Sequence, residues 1–383
     1  MPTTPLADAL ARHVDAGDVP GVVAVVGRGS DVEVMVLGDQ AIGGPPMRED
    51  SLFRIASIGK PITTAATLAL VADGVMALDD PVDGLLPELA APRVVRTLTA
   101  PVDDTVPANR AITVRDLLRS TNGHGFPSDF SAPAAVLLAE RLHQGPPQPQ
   151  QVPPPDEWMA VLSEIPLLHQ PGEGFTYNAA FDILGVLVAR AAGRSFPTYL
   201  AERVLHPLGM DETGFAFPPG TAARRTSYYR RADGGLELID GPDGQWASEP
   251  PFPSGAGGLV STAADLVAFE RMLLARGGDL LPPALVGAMM TDQLTPTIRA
   301  TDSVFLDGQS WGYGGGVDIE PRNPWNVPGR YGWIGGTGTS AYVVPADDSI
   351  AILLTQVQLG GPDGAPVLDA FARAAAAQLG HDR

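Results

Sequence analysis

Ser57 and Lys60 stand three residues apart in "FRIASIGKPITT" (53–64), and Lys60 is the one lysine in a chain of 383 residues whose 25 basic side chains (Lys plus Arg) are otherwise all Arg. A serine hydroxyl is a poor nucleophile until a base takes its proton. A lysine amine can act as that base if burial and a positive neighbourhood lower its pKa from ~10.4 towards neutrality, at about 4 kcal/mol. Proline lacks an N–H and clashes with the preceding turn, so a helix tolerates it only in its first turn. Pro61 therefore predicts that the apolar helix of 62–73 starts at about Ser57, with Ser57 and Lys60 on one face. Free N–H groups at such an N-terminus favour an alkoxide or an oxyanion. The competing reading, an N-cap serine beside a surface lysine, leaves the uniqueness of the lysine and its place against Pro61 unexplained.

The elements that would position this pair follow from periodicity. Residues 6–16 read as a short amphipathic helix, and "GVVAVVGRG" with "DVEVMVLGD" as a hairpin turning at Gly29–Asp31. "ITTAATLALVAD" is apolar nearly all round, which marks a buried helix stopped by Gly74. "ITVRDLLRS" (112–120) and "DILGVLVARAAG" (182–193) are further helices, and the Pro/Gln-rich 143–158 reads as an exposed, extended loop. "SAYVVPADD" and "SIAILLTQ" form a second hairpin about Pro345–Asp348, and a last helix covers about 365–379. Strands at both ends with helical sequence between predict an α/β chain of the α+β type: one domain, with an antiparallel sheet from both termini flanked by helices. The sheet lobe would hold about 1–60 plus 255–383, and a mostly helical inserted lobe about 61–254.

Composition removes several classes of function. A formal charge of −19 argues against nucleic acid and anionic membranes as partners. Without a cysteine there is no thiolate catalysis, disulfide or Cys-ligated metal. No run of 18 apolar residues occurs, and the first 21 residues lack the basic and apolar regions of a secretory signal, so the expectation is a soluble cytoplasmic protein. The six histidines have no metal-site spacing, so neither metal nor cofactor is expected. His124, in "TNGHGF", is a candidate for the pocket rim or for a loop cap.

"LFRIASIGKPITTAATLALVADGVMALDDPV" resembles the S-x-x-K segment of the serine β-lactamase and penicillin-binding-protein superfamily, in its class C-like (family VIII) esterase branch. The likeness continues in order through "ITVRDLLRSTNGHGF", "PGEGFTYNAAFDILGVLVARAAG", "LHPLGMDETGF", "PSGAGGLVSTAADL" and "GRYGWIGGTGTSAYVVPADDSIAILLTQ". The resemblance implies a β-lactamase/transpeptidase-like fold with Ser57 as nucleophile. It also implies a tyrosine facing the serine, Tyr177, which would share the proton with Lys60 and protonate the leaving group. On the residues alone Tyr177 reads equally well as a packing tyrosine beside Phe175 and Phe181. The family's Y-x-N pattern is departed from: Ala179 occupies the third place and Asn178 comes one place early, as a candidate substrate contact. Where β-lactamases carry K-T-G or H-x-G, this chain reads Trp333-Ile334-Gly335, as esterases of the branch do with W-x-G. Trp333 would supply an apolar wall and one N–H donor in place of a cation. Gly335 and Gly336 would let substrate approach the strand. By resemblance, the backbone amides of Ser57 and Gly336 form the oxyanion hole.

One rival serine is rejected on context. "GQSWG" (308–312) matches the G-x-S-x-G nucleophile elbow at Ser310, but that motif needs a helix directly after it, and "YGGGVDIE" follows. The reading is a serine hydrolase working through an acyl-enzyme, a carboxylesterase on neutral small or medium acyl esters. The alternative is an amide-cleaving or acyl-transferring relative: a DD-peptidase, a weak β-lactamase or an acyltransferase. A non-catalytic binding relative would have no reason to keep Ser57, Lys60 and Tyr177 together.

Overall fold

The structure, a computed structural model, describes residues 4–360 and 365–381. Its centre is an antiparallel sheet of seven strands: β1 (Gly21–Arg28), β2 (Asp31–Gly38), β3 (Gln309–Trp311), β4 (Gly316–Asp318), β5 (Tyr331–Gly335), β6 (Thr339–Val344) and β7 (Ser349–Leu354). Their spatial order is β2-β1-β7-β6-β5-β4-β3, so the N-terminal hairpin closes onto the C-terminal one through β1 and β7. Both hairpins and the final helix lie where periodicity predicts.

Alternation along the strands sorts the apolar side chains to two faces. Val22, Ala24 and Val26 of β1 join one cluster with helices α1 (Pro5–Asp15) and, at the chain's other end, Pro366–Leu379. Val23 and Val25 point into the larger core on the opposite face. That core is shared with α2 (Lys60–Ala72), α3 (Ala179–Ala192) and α4 (Ala263–Leu274). α2 is buried from Lys60 through Leu70, as a helix apolar on all sides must be. The middle of the chain also carries a β-hairpin, Tyr228–Ala232 with Gly235–Asp240, whose Tyr229 bridges to Val357 beside the sheet.

Two expectations are corrected. The helical run does start next to Ser57, but Ala56–Gly59 is a 3-10 turn and the α-helix begins only at Lys60, with Pro61 in its first turn. The 143–158 segment is not simply exposed. Gln144 is buried, Pro146, Pro147 and Val152 border the main cavity, and a helix starts at Pro155 and buries Trp158 completely.

Candidate active site

The short strand Phe53–Arg54 pairs with Val260–Ser261 and leads straight into the 3-10 turn. Ala56, the first residue of that turn, adopts a left-handed φ of 47°. Such a conformation is costly for a residue with a Cβ and persists only where the surroundings hold it. Here the Ile55 N–H donates to the Leu259 carbonyl at 3.0 Å. The Thr337 and Thr339 hydroxyls donate to the Arg54 and Ile55 carbonyls at 2.6 and 2.9 Å. Those threonines stand in the turn after β5 and at the start of β6, so the clamp that shapes the 3-10 turn also brings the end of β5 alongside Ser57. In a 3-10 turn, residues i and i+3 eclipse. The S-x-x-K spacing therefore stacks the two side chains, and Lys60 Nζ lies 2.8 Å from Ser57 Oγ.

The other partners of Nζ are two carbonyl oxygens, Asn178 Oδ1 at 2.9 Å and Ala256 O at 2.6 Å. Neither can donate a proton. A neutral amine gives its two hydrogens to those carbonyls and is left with its lone pair facing the Ser57 hydroxyl. Burial lowers the Lys60 pKa to about 7, opposed by the charge of Asp182. Near neutrality the amine can thus take a proton, and the ammonium it forms keeps three acceptors.

Tyr177 is held on the opposite side by backbone hydrogen bonds with Phe126 in both directions, each 2.8 Å. Its ring stacks on Phe305 at 4.2 Å between centroids, and Lys60 Nζ lies 4.7 Å from the ring centroid. Burial pushes its phenol up to about 12, against hydrogen bonds from Ser57 and Trp333. It is therefore a neutral phenol at neutral pH, able to give a proton and poorly suited to take one. The Trp333 Nε1–H donates to the Tyr177 oxygen at 2.6 Å. Trp333 borders the cavity, and its one donor is spent on the tyrosine.

The remaining expectations divide. Gly336 borders the cavity, and a Cβ there would meet nothing within 4 Å. Gly335 faces protein: a Cβ would sit 2.1 Å from Thr339 Oγ1 and 2.5 Å from the Ile55 carbonyl. Its role is to let β5 reach the 3-10 turn, which differs from the substrate contact expected of it. Asn178, with φ 85°, gives its carbonyl to Lys60 and its amino group to Gln144 Oε1 at 2.8 Å, so both ends are engaged within the protein. Ser310 is buried within β3, bonded to Asp292, with a strand and not a helix after it. His124 caps a loop through Nε2 on the Ile165 carbonyl at 3.0 Å and does not border the cavity.

Sequence reasoning missed Gln144, hidden in a Pro/Gln-rich stretch, and Asp182. The latter had a signal, a carboxylate at the head of the apolar run "FDILGVLV". The cavity is about 830 Å³ in all: Ser57, Tyr177, Trp333 and Gly336 border it beside Phe126, Phe130, Phe252 and Phe305, and it continues along the sheet past Tyr342 to Phe371 and Leu379. That is the size of a small-molecule site. No group of residues fit to hold a metal occurs among the described residues, and no helix among them is long and apolar enough to cross a membrane.

Ser57, Lys60 and Tyr177 thus meet beside the end of β5, in a fold that is that of the β-lactamases and transpeptidases. The Beta-lactamase family model matches residues 6–376, and the chain belongs to that family. It is 36% identical over 356 residues to Protein Rv1367c of Mycobacterium tuberculosis, covering 89% of this chain and 87% of that one. It is 32% identical over 369 residues to Esterase EstB of Burkholderia gladioli, covering 90% and 88%. Among solved structures it resembles EstCE1, described as a hydrolase with promiscuous acyltransferase activity, at a TM-score of 0.78 and 23% identity over 96% of this chain and 97% of that one. Proteins of this family act on small-molecule esters or amides, which supports hydrolase activity in general terms.

Proposed function

We propose that the protein is a carboxylesterase that forms an acyl-enzyme on Ser57. The observation that carries this reading is the buried Lys60 amine, 2.8 Å from Ser57 Oγ with carbonyl oxygens as its other two partners. Lys60 takes the hydroxyl proton as Oγ bonds to the ester carbon. The carbonyl oxygen gains the electron pair and is held by the amides of Ser57 and Gly336, each such donor being worth about 3 kcal/mol. As the intermediate collapses, the leaving alkoxide takes the Tyr177 proton, which the Lys60 ammonium restores. Water then attacks the acyl carbon with the same groups in reverse order.

Neutral esters suit the pocket. An indole stands where the resemblance to β-lactamases would place a cation, and the two arginines bordering the cavity, Arg322 and Arg330, are paired with Asp307 and Asp318. Little is left to hold a substrate carboxylate. We expect Ser57→Ala to abolish p-nitrophenyl butyrate turnover and Ser310→Ala to leave it intact, with a fluorophosphonate mapping to Ser57 by peptide mass. Labelling at Ser310 with Ser57 untouched would overturn the assignment. A chromogenic cephalosporin turned over as efficiently as the ester would replace the esterase label with that of a β-lactamase. Transfer to an alcohol uses the same acyl-enzyme, and EstCE1 is described as capable of it. Ester formation on adding a short alcohol to the assay is the measure of that second reading.

A further inference from the structure

Behind Lys60 the hydrogen bonds form a closed ring that the acyl-transfer steps do not use. The Asn178 amino group donates to Gln144 Oε1 at 2.8 Å, and the Gln144 amino group donates to Asp182 Oδ2 at 2.6 Å. Asp182 Oδ1 accepts from Ser254 Oγ at 2.6 Å and from the Ala256 N–H at 3.1 Å. The Ala256 carbonyl then receives Nζ, which closes the ring. Ser254 Oγ accepts from the Gly257 N–H at 3.2 Å, so its own hydrogen is directed at Asp182. Burial raises the pKa of this carboxyl, 2% exposed, but it meets three donors, no acceptor faces it in the ring, and those donors and the Lys60 charge favour its ionised form.

A side-chain amide has a donor end and an acceptor end, and its orientation follows from its partners. An anion at one end of a two-amide chain settles both. Gln144 must turn its amino group to Asp182 and so its carbonyl to Asn178. Asn178 must then turn its amino group to Gln144 and its carbonyl to Lys60. We propose that Asp182 is a positioning residue for Lys60: through Gln144 and Asn178 it ensures that an acceptor, not a donor, meets Nζ and leaves the amine lone pair on the Ser57 hydroxyl. The proposal rests on the Ser57–Lys60 reading above. With Asn at 182 the anchor can itself turn, both amides can reverse, and an amino group can confront the amine.

The groups facing Nζ are Ser57 from the 3-10 turn, Tyr177 and Asp182 from α3 and its lead-in, and the uncharged Ala256 carbonyl. Removing the Asp182 charge disfavours the ammonium, so the acid limb of reactivity moves to lower pH. The test is the rate of Ser57 labelling by a fluorophosphonate between pH 5 and 9, in wild type, Asp182→Asn and Gln144→Leu, with thermal melts to verify folding. For Asp182→Asn we expect labelling at pH 8 slowed 10-fold or more and the acid limb displaced downward by about one pH unit. Gln144→Leu, which keeps the charge and breaks the chain, should lose a similar factor in rate with a smaller displacement. A folded Asp182→Asn labelled at pH 8 at the wild-type rate, or one whose acid limb stays at the wild-type position, overturns the proposal. If that variant does not fold, a folded Gln144→Leu labelled at the wild-type rate overturns it, and a 10-fold loss there supports it. No labelling of wild-type Ser57 would instead overturn the acyl-enzyme reading itself, and the proposal with it.

Discussion

At Lys60 the three neighbours of Nζ decide what the residue can do. Two are carbonyls and one is a hydroxyl, so the deprotonated amine has a single direction left in which to accept. Its pKa of about 7, lowered by burial, sets the pH dependence. The neutral form is the active base, so kcat/KM should fall as the pH drops through about 7 on an acid limb that belongs to the free enzyme. Lys60→Arg keeps a cation but removes the base, since a guanidinium does not lose its proton in proteins. A rate loss of about 10²-fold or more is expected, together with disappearance of that limb. Near-normal turnover by the arginine variant at neutral pH would reduce Lys60 to electrostatic support. The S-x-x-K pair was legible in the sequence because Pro61 and the scarcity of lysine are local facts. Gln144 was not, because its role depends on a loop folding back onto α3 across 34 residues.

Among the elements, the end of β5 and the 3-10 turn act as one unit. Thr337 and Thr339 tie the backbone before Ser57 to the sheet, and Gly335 lets the two segments touch. Gly335→Ala would drive a methyl group into Thr339 Oγ1 and the Ile55 carbonyl, both well inside contact distance. We predict a loss of about 1–3 kcal/mol, the scale of overpacking, and a larger loss of esterase activity as Ser57 is displaced. Gly336→Ala, one residue on, adds its methyl group to open space and should change stability by no more than about 0.5 kcal/mol. Denaturant melts of the two variants separate these outcomes, and equal stability would show that the close approach at Gly335 is not obligatory. The order of strands and helices was readable from periodicity. The short 3-10 start was not, because S-x-x-K fits an α-turn and a 3-10 turn alike, and the clamp from Thr337 and Thr339 is made only in the folded chain.

For the whole molecule, two buried groups give stability opposite slopes with pH. Glu270, on α4, is buried with Oε2 unpartnered, and burial raises its pKa from 4.5 to about 8. Below about 4.5 it is protonated in both folded and unfolded chains. Above that the unfolded chain alone releases the proton, so stability falls as pH rises towards 8, by on the order of 3 kcal/mol at neutrality. His124 works the other way. Burial lowers its pKa from 6.5 to about 4, so its contribution is complete above 6.5 and is lost as pH falls towards 4. Glu270→Gln should be more stable than wild type at pH 8 and gain little at pH 5. A gain equal at both pH values would mean that packing, and not ionisation, separates the two proteins.

What the sequence determined by itself was local or periodic: the hairpins, the buried helix after Pro61, the terminal helix, and the Ser57–Lys60 pair. The order of family motifs added Tyr177 and Trp333, and the context of Ser310 sufficed to discard it. Apart from the motif order, which runs along the whole chain, each rests on residues within a few positions of one another or on a pattern repeated along one segment. Only tertiary structure decided that the Trp333 N–H is given to Tyr177, that Gly335 faces Ile55, and that Asn178 turns its carbonyl to Lys60. Those contacts join residues 118 to 280 positions apart. The physical reason is directional. Hydrogen bonds and close approaches depend on which end of a group meets which partner, and composition and spacing say nothing of that until the chain has folded.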